Sequence, residues 1–146
     1  MATAVQGIED IRARREAVVK AHFKAETMDH DVAAALATFR QPRYEVPAAG
    51  VIADGTDAVR DFLTQVFAAF PDLWLEQKAL YHSEHVVVVE CKFGGTQRGV
   101  WAGVAPTGRK GEVECVLIFV FEGADLVCEK VYFDNATILR QLGALA

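Results

Sequence analysis

The feature that most constrains the fold is residues 94–134, which contain two apolar strand candidates joined by a tight polar turn. The first candidate, residues 112–121, is rich in β-branched and aromatic side chains. The second, residues 126–133, mixes charged and apolar positions, and the turn between them has the sequence EGAD. Apolar runs of this length bounded by glycine and proline are typical of β-hairpins. The pattern therefore predicts an antiparallel pair of strands in the second half of the chain.

Three helices are predicted before this hairpin. Apolar residues at helical spacing indicate one helix over residues 8–25 and another over residues 56–70. A shorter helix between them runs to Phe39 and has Asp29 or Asp31 as its N-cap. The apolar stripe of the third helix is wide enough to cover a sheet.

Strands dominate the rest of the chain. A short strand at residues 43–46 is flanked by two prolines and is expected at a sheet edge, where proline is tolerated. The later strand candidates are residues 73–82, 86–93, 97–104, 112–121 and 126–133, followed by a short helix at 135–142. Helices followed by strands predict a single α+β domain over residues 1–146. We expect a curved antiparallel sheet wrapped around the three N-terminal helices as a cone with an open mouth.

Composition excludes several classes of function. The chain has 15 basic and 20 acidic residues, a net charge of −5, and no basic stripe, which argues against a nucleic-acid partner. Its three cysteines, Cys91, Cys115 and Cys128, are odd in number and lack the C-x-x-C spacing. This argues against a disulfide framework and against a zinc site. We expect three buried thiols in a reducing compartment.

Two kinds of hydrophobic segment are missing from the sequence. No apolar run approaches the roughly 20 residues that a membrane span needs, so no membrane partner is expected. The first 16 residues also lack the apolar core of a signal peptide. Together these features predict a cytoplasmic location.

Five short segments resemble one known family. They are residues 70–73 (FPDL), 99–103 (GVWAG), 106–109 (PTGR), 129–134 (EKVYFD) and 139–143 (LRQLG). With the order of elements, they resemble the SnoaL-like polyketide (ester) cyclase family, which has the cone-shaped α+β fold of nuclear transport factor two, ketosteroid isomerase and scytalone dehydratase. The resemblance covers most of the chain and is weakest in its N-terminal third.

The resemblance implies a pocket that works without a cofactor or metal ion. Characterised cyclases of the family use a carboxylate as acid and base in an intramolecular aldol closure. Relatives include hydroxylases, isomerases, dehydratases and binders of small ligands. We therefore expect a small hydrophobic molecule as the partner.

A homodimer is expected through the outer face of the sheet, as the family usually associates this way. Leu117, Phe119 and Phe121 alternate with Ile118 and Val120, so both faces of this strand are apolar. An antiparallel sheet with two apolar faces needs cover on both.

Glu129 is the first candidate for catalysis. Strand alternation places Val127, Glu129, Val131 and Phe133 on one face, which we assign to the interior because it carries a single charge. Burial would raise the pKa of this carboxyl group, which suits a general acid or base near neutral pH. The alternative is that Glu129 lies near the rim and pairs with an arginine.

Asp134 and His22 are the other catalytic candidates. Asp134 ends the last strand and is either a second acid or the N-cap of the terminal helix. His22 lies on the apolar face of the first helix, where it either donates to a substrate carbonyl or packs in the core. Ketosteroid isomerases use a tyrosine on this helix for that donation, and this chain has none there. Tyr44 lies in the short strand and is cheaper to bury than its neighbour Glu45.

The predicted lining of the pocket combines aromatic residues with one basic residue. Trp101 alternates with two glycines and is interpreted as a pocket wall for a flat substrate, with a core position as the alternative. Arg98 is a candidate polar lining residue, although the surface is the default position for arginine. The substrate-binding candidates are Tyr44, Trp101, Phe119, Phe133 and Arg98.

Two hypotheses for function follow. The first is a cofactor-free cyclase or isomerase that abstracts a proton next to the carbonyl of a hydrophobic, polyketide-like substrate. The second is a non-catalytic module of the same fold that binds a small molecule or mediates dimerisation. An enclosed apolar pocket with convergent polar groups favours the first, whereas a cone plugged by aromatic residues favours the second.

Overall fold

The computed structural model describes residues 2–146. The helices are α1 (Ala2–Thr27), α2 (Val32–Ala37), α3 (Thr56–Ala69) and α4 (Asn135–Gln141), with a 3-10 turn at Pro47–Ala49. The strands are β1 (Arg43–Val46), β2 (Val51–Asp54), β3 (Trp74–His82), β4 (Val86–Thr96), β5 (Lys110–Glu122) and β6 (Asp125–Phe133). The three N-terminal helices precede the long strands, as the α+β prediction required.

The strands form one curved, open sheet in the order β2-β1-β6-β5-β4-β3. Neighbouring strands are antiparallel except β1 and β6, which run parallel with Tyr44 opposite Glu129. The sheet is therefore mixed, which corrects the expectation of a wholly antiparallel one. Because β1 and β6 are far apart in the chain, no tight hairpin forces them to be antiparallel.

Strand β2 takes the edge position that was expected for β1. Gly50 has a φ of 66° and follows the 3-10 turn, so the chain reverses and β2 pairs antiparallel with β1. A left-handed φ of this kind favours glycine. The sequence prediction missed β2 because a four-residue strand shows too little alternation to be recognised.

The strand expected over residues 97–104 is a loop, so that prediction is wrong. The buried side chain of Gln97 donates to the carbonyl of Val104 over 3.0 Å and accepts from the hydroxyl of Thr107 over 2.8 Å. The same side chain also donates to the carbonyl of Ala105 and accepts from the N–H of Thr107, so it satisfies main-chain groups inside the loop. The chain therefore folds back on itself instead of adding a fifth long strand.

The core lies between the helices and the inner face of the sheet. On α3, Val59 is fully buried, and Phe62 and Val66 are half-buried, while Phe70 at its C-terminus is 8% exposed. These four residues face the sheet, which confirms the predicted packing of the helical stripe. Val59 and Phe62 pack in one cluster with buried β5 side chains that include Phe119.

Strand β5 is apolar on both faces, as predicted. Leu117, Phe119 and Phe121 are buried on the inner face, and Ile118 and Val120 are half-buried on the outer face. The outer face of this strand therefore keeps partly exposed apolar surface.

Strand β6 departs from the predicted alternation near its start. The register with β5 shifts between Val120 and Phe121, so Leu126 rather than Val127 joins the core cluster. An extra residue in one strand of a pair is a β-bulge, which changes the face of every residue before it. From Glu129 onward the predicted faces hold.

Two further expectations concern the cysteines and the membrane. Cys91, Cys115 and Cys128 are buried free thiols, as predicted. None of the helices within residues 2–146 combines the length and the apolar character that a membrane span requires.

Candidate active site

A cavity of about 100 Å³ lies between α3 and the inner face of the sheet. Most of its wall is apolar, with side chains that include Phe62, Phe67, Leu117, Val131, Phe133 and the ring of Trp101. The ionisable residues in the wall are Glu26, Tyr44 and Glu129. The cavity is therefore an apolar site whose acid–base groups are concentrated in one cluster.

Three elements build this acid–base cluster. Glu129 on β6 and Tyr44 on β1 are cross-strand partners and share the inner face of the sheet. His22 and Glu26 are one turn apart on α1 and project from the same side of the helix. His22 is 0% exposed and Tyr44 and Glu129 are each 2% exposed, so these three are removed from bulk water, while Glu26 is 13% exposed at the edge of the cluster.

The Nε2 atom of His22 is the centre of the hydrogen-bond network. It lies 2.8 Å from Oε2 of Glu129, 2.7 Å from the hydroxyl oxygen of Tyr44 and 3.1 Å from Oε1 of Glu26. The Tyr44 hydroxyl donates its proton to Oε1 of Glu26. The proton between His22 and Glu129 therefore lies either on Nε2 of the imidazole or on the carboxylate.

Thr38 determines which imidazole nitrogen faces the carboxylates. Its hydroxyl donates to the carbonyl of Ala35 over 2.6 Å, and therefore accepts from Nδ1–H of His22, also over 2.6 Å. The Nδ1 atom consequently carries a proton in either charge state of the ring. Nε2 is left as the position that gains or loses a proton.

Burial and charge shift the pKa values of the cluster. Burial raises the pKa of Glu129, and the Glu26 charge raises it further, against the opposing effect of His22. Burial disfavours the charged form of His22, but the charges and hydrogen bonds of Glu26 and Glu129 outweigh it and raise the pKa of His22 to about 10. Burial, then the two carboxylates, raises the pKa of Tyr44 well above its ordinary value. The cluster therefore retains protons at neutral pH and has acid and base groups in contact.

The same atoms could in principle ligate a cation. His22, Glu26 and Glu129 each offer one ligand atom, and these atoms lie within 4.8 Å of one another. In the described chain these atoms already form hydrogen bonds with one another and with Tyr44. Hydrogen bonds within the cluster therefore satisfy these polar atoms without a cation. Such a network of shared protons suits acid–base chemistry.

Comparison with known proteins identifies the family. Residues 16–142 match the model of the SnoaL-like polyketide cyclases. The chain belongs to this family. The match covers most of the chain and confirms the resemblance stated from the sequence motifs.

Solved structures place this SnoaL-like protein among proteins of the same fold. TsrD from Streptomyces laurentii is 27% identical with a TM-score of 0.77, over 92% of this chain and 98% of that one. AclR from Streptomyces galilaeus, described as a candidate hydroxylase, is 23% identical with a TM-score of 0.75, over 92% and 87%. A protein with a ketosteroid isomerase-like fold from Catenulispora acidiphila is 18% identical with a TM-score of 0.75, over 88% and 93%. These similarities confirm the predicted fold, while no curated protein matches the chain.

The structure brings some of the predicted site residues together. Glu129, His22 and Tyr44 meet in one cluster, although His22 lies behind the cavity wall rather than in it. Trp101 and Phe133 line the cavity. In this SnoaL-like protein the first catalytic candidate, Glu129, therefore contacts both the cavity and the second candidate, His22.

Other predicted site residues lie elsewhere. Asp134 is exposed and caps α4, where it accepts from Ala136 N over 3.0 Å and from the Thr137 hydroxyl over 2.7 Å. The Thr137 hydrogen bond, with smaller contributions, lowers the pKa of Asp134. Phe119 is 0% exposed and packs edge-on against His22 in the core, and Arg98 is exposed, so neither is part of the cavity wall. The structure thus places these three residues outside the cavity wall: Asp134 caps a helix, Phe119 packs in the core, and Arg98 faces solvent.

Sequence reasoning missed Glu26 and Thr38. The signal for Glu26 was its spacing of four residues from His22, which places two ionisable groups on one helical face. No local signal identifies Thr38, because it reaches His22 only after α1 and α2 pack together.

Proposed function

We propose that this SnoaL-like protein is a cofactor-free cyclase or isomerase that acts on a hydrophobic carbonyl compound by proton transfer. The observation that carries the proposal is a buried carboxylate, Glu129, that borders an apolar cavity and is held by His22 over 2.8 Å. A carboxylate in an apolar environment is a stronger base than one in water because burial disfavours its charge.

Glu129 is the proposed base. Because His22 holds Oε2, we assign Oε1 to the substrate proton. The C–H bond next to the substrate carbonyl breaks, its proton moves to Glu129, and its electron pair forms the enolate. In a cyclase the enolate carbon attacks a second carbonyl of the same molecule, and the resulting alkoxide takes the proton back. Proton transfer of this kind contributes about 10²–10⁴-fold to a rate.

Tyr44 is proposed to stabilise the enolate, and His22 to support Glu129 from behind the cavity wall. The raised pKa of Tyr44 keeps its hydroxyl protonated at neutral pH, so it can turn from Glu26 to the developing oxyanion. One such donor is worth about 10²–10³-fold in kcat. His22 balances the charge change at Glu129 through their hydrogen bond, and Thr38 keeps its ring oriented.

The test measures carbon-acid chemistry directly. Deuterium incorporation next to the carbonyl of 2-tetralone in D2O is followed by NMR with the wild-type protein and with Glu129→Gln. We expect wild type to accelerate exchange and Glu129→Gln to lose about 10²–10⁴-fold of that acceleration. Glu84→Gln is the matched control, since this carboxylate is 87% exposed and should have no effect. Equal exchange rates for wild type and Glu129→Gln would remove Glu129 as the base, and no acceleration by wild type would contradict proton transfer from hydrophobic ketones.

A non-catalytic binding module is the second candidate. The cluster is satisfied by its own hydrogen bonds, and the cavity of about 100 Å³ is smaller than most ligand pockets of roughly 300–1,000 Å³. Both features suit a protein that holds a small apolar molecule without transforming it. Tight binding of such a molecule with no exchange activity would favour this candidate.

We also propose that the protein forms a homodimer in the cytoplasm. The outer face of β4 and β5 carries two half-buried apolar cross-strand pairs, Val86 with Val120 and Val88 with Ile118, next to half-buried Val116, which lies opposite Glu90. A second copy that packs this face against the same face would cover it. The three free buried thiols suit a reducing compartment.

A further inference from the structure

Glu26 lines the cavity but takes no part in the proposed proton transfer at Glu129. It lies in the last turn of α1, one helical turn after His22. That end of a helix favours cations, because its main-chain carbonyls give it negative charge. Among residues 2–146 the ion-pair contact of Glu26 is with His22, at 3.1 Å, and no lysine or arginine pairs with it. Neither helix stability nor a strong ion pair therefore accounts for Glu26.

The carboxyl group of Glu26 is where the acid–base cluster meets water. Its side chain is more exposed than those of His22 and Glu129. Its Oε1 atom accepts from the Tyr44 hydroxyl, whereas Oε2 forms no hydrogen bond within residues 2–146 and is not a buried unpaired atom. Oε2 is therefore open to water. Because α1 ends one residue later and Met28 is exposed, Glu26 joins the buried cluster to the surface.

Nε2 of His22 lies between the two carboxylates, 2.8 Å from Oε2 of Glu129 and 3.1 Å from Oε1 of Glu26. The other ring nitrogen, Nδ1, donates to the Thr38 hydroxyl and keeps its proton. Although burial opposes its charge, the two carboxylates raise the pKa of His22 to about 10, so Nε2 carries a proton at pH 7. Protons that move between Glu129 and Glu26 through the imidazole therefore pass through Nε2.

We propose that Glu26 is a proton relay that exchanges protons between the buried His22–Glu129 pair and water. The Nε2–H bond breaks, its proton passes to Oε1 of Glu26, and the electron pair stays on Nε2. Rotation of the Glu26 carboxyl group presents this proton to water, and the proton of Glu129 refills Nε2. The net change moves one proton from Glu129 to water and restores the base. This inference rests on the proposed function for the source of the Glu129 proton, whereas the route to water needs no substrate.

The experiment follows the exchange of one proton in the free protein. In 15N-histidine-labelled protein at pH 7, saturation transfer measures the rate at which Nε2–H of His22 exchanges with water, and His22→Gln identifies the resonance by its loss. Glu26→Gln keeps the shape of the side chain but cannot take up a proton, so we expect exchange to slow about tenfold or more. Loss of the Glu26 charge alone would loosen the proton on His22 and speed its exchange. Slower exchange is therefore specific to the loss of a relay.

Matched variants separate this route from general effects on the cluster. Glu16→Gln is the control, because Glu16 lies on the same helix and pairs with His82 over 2.7 Å, so its loss should leave the exchange of His22 unchanged. Glu129→Gln should not slow the exchange, since the route to water remains. Glu26→Ala should exchange slowly, and added formate should restore the rate with saturation by supplying a carboxylate in the vacated space.

Unchanged or faster exchange in Glu26→Gln would overturn the proposal. So would slowing of equal size in Glu129→Gln, or failure of formate to speed exchange in Glu26→Ala. If His22 exchange depends on Glu26 but wild type does not accelerate deuterium exchange into 2-tetralone, the relay stands and the catalytic proposal fails. If deuterium exchange depends on Glu129 while His22 exchange is independent of Glu26, the catalytic proposal stands and the relay fails.

Discussion

Tyr44 and Glu129 lie opposite each other on the parallel strand pair β1 and β6, and both side chains reach Nε2 of His22, at 2.7 and 2.8 Å. The pairing of two strands thus brings a phenol and a carboxylate to one imidazole at the edge of an apolar cavity. Substitution of one of these residues therefore measures what its side chain contributes to the stability of the protein.

Removing the Tyr44 hydroxyl should destabilise the protein. Tyr44→Phe removes the hydroxyl that donates to Glu26 and lies 2.7 Å from Nε2 of His22, and the loss of such a partner inside a largely buried network costs about 1–3 kcal/mol. We expect the free energy of unfolding in urea at pH 7 to fall by about this amount. Tyr81→Phe is the control, since Tyr81 is 51% exposed and its change should stay within about 0.5 kcal/mol. Equal effects of the two substitutions would argue against the hydrogen-bond network.

The charge state of His22 should make stability depend on pH. Its pKa is about 10 in the folded protein and about 6.5 unfolded, so its contribution is fully present below pH 6.5 and is lost as pH rises toward 10. The raised pKa of Glu129 acts in the same direction, because the folded state holds that proton more tightly. Between pH 6.5 and 10 we expect the free energy of unfolding of wild type to fall by ~4 kcal/mol more than that of His22→Gln.

The control for this pH profile is His85→Gln. His85 is 74% exposed and should leave the wild-type pH profile unchanged. Parallel profiles for wild type and His22→Gln would show that His22 does not hold an extra proton in the folded protein.

Gly99 should tolerate no side chain. A Cβ atom at this position would lie 2.7 Å from the carbonyl oxygen of Ala68 at the end of α3. Gly99→Ala should therefore push the loop off α3, displace Trp101 and lower the free energy of unfolding by about 1–3 kcal/mol. Chemical unfolding and the indole N–H resonance of Trp101 measure the two effects. Gly7→Ala is the control, because no atom lies within 4 Å of its Cβ position and alanine should stabilise α1 by about 0.5–1 kcal/mol.

A charge on the outer face of the sheet should prevent the proposed dimer. Ile118 is half-buried there and lies between Val88 on β4 and Lys130 on β6. Light scattering at micromolar concentration should give the mass of two chains for wild type and of one chain for Ile118→Glu. Val100→Glu, at a 63% exposed position in the loop, should remain dimeric. A wild-type mass of one chain would contradict the proposed dimer.

Local pattern in the sequence was enough for much of the architecture. The stripe of α3, the hairpin of β5 and β6 and the inward face of Glu129 follow from side-chain periodicity, which backbone geometry imposes within each element. The N-cap of α4 by Asp134 is equally local, because the carboxylate bonds N–H and O–H groups two and three residues further on. Short motifs spread along the chain also identified the family, because a motif can be recognised in the sequence without knowing which helices and strands are in contact.

The periodicity of side chains carries no information on which distant elements become neighbours. The candidate site depends on such neighbours, because its residues lie on separate helices and strands. His22 and Glu129 are 107 positions apart, and they meet only because α1 packs on β6. The parallel pairing of β1 with β6 brings Tyr44 into the same contact. A one-residue bulge in β6 places Leu126 rather than Val127 in the core. The amino-acid sequence by itself therefore determined most of the elements, apart from β2 and the loop at residues 97–104, together with the family and the first candidate base. Only the tertiary structure decided the partners of that base and the position of Trp101, because those contacts join residues whose proximity no local pattern encodes.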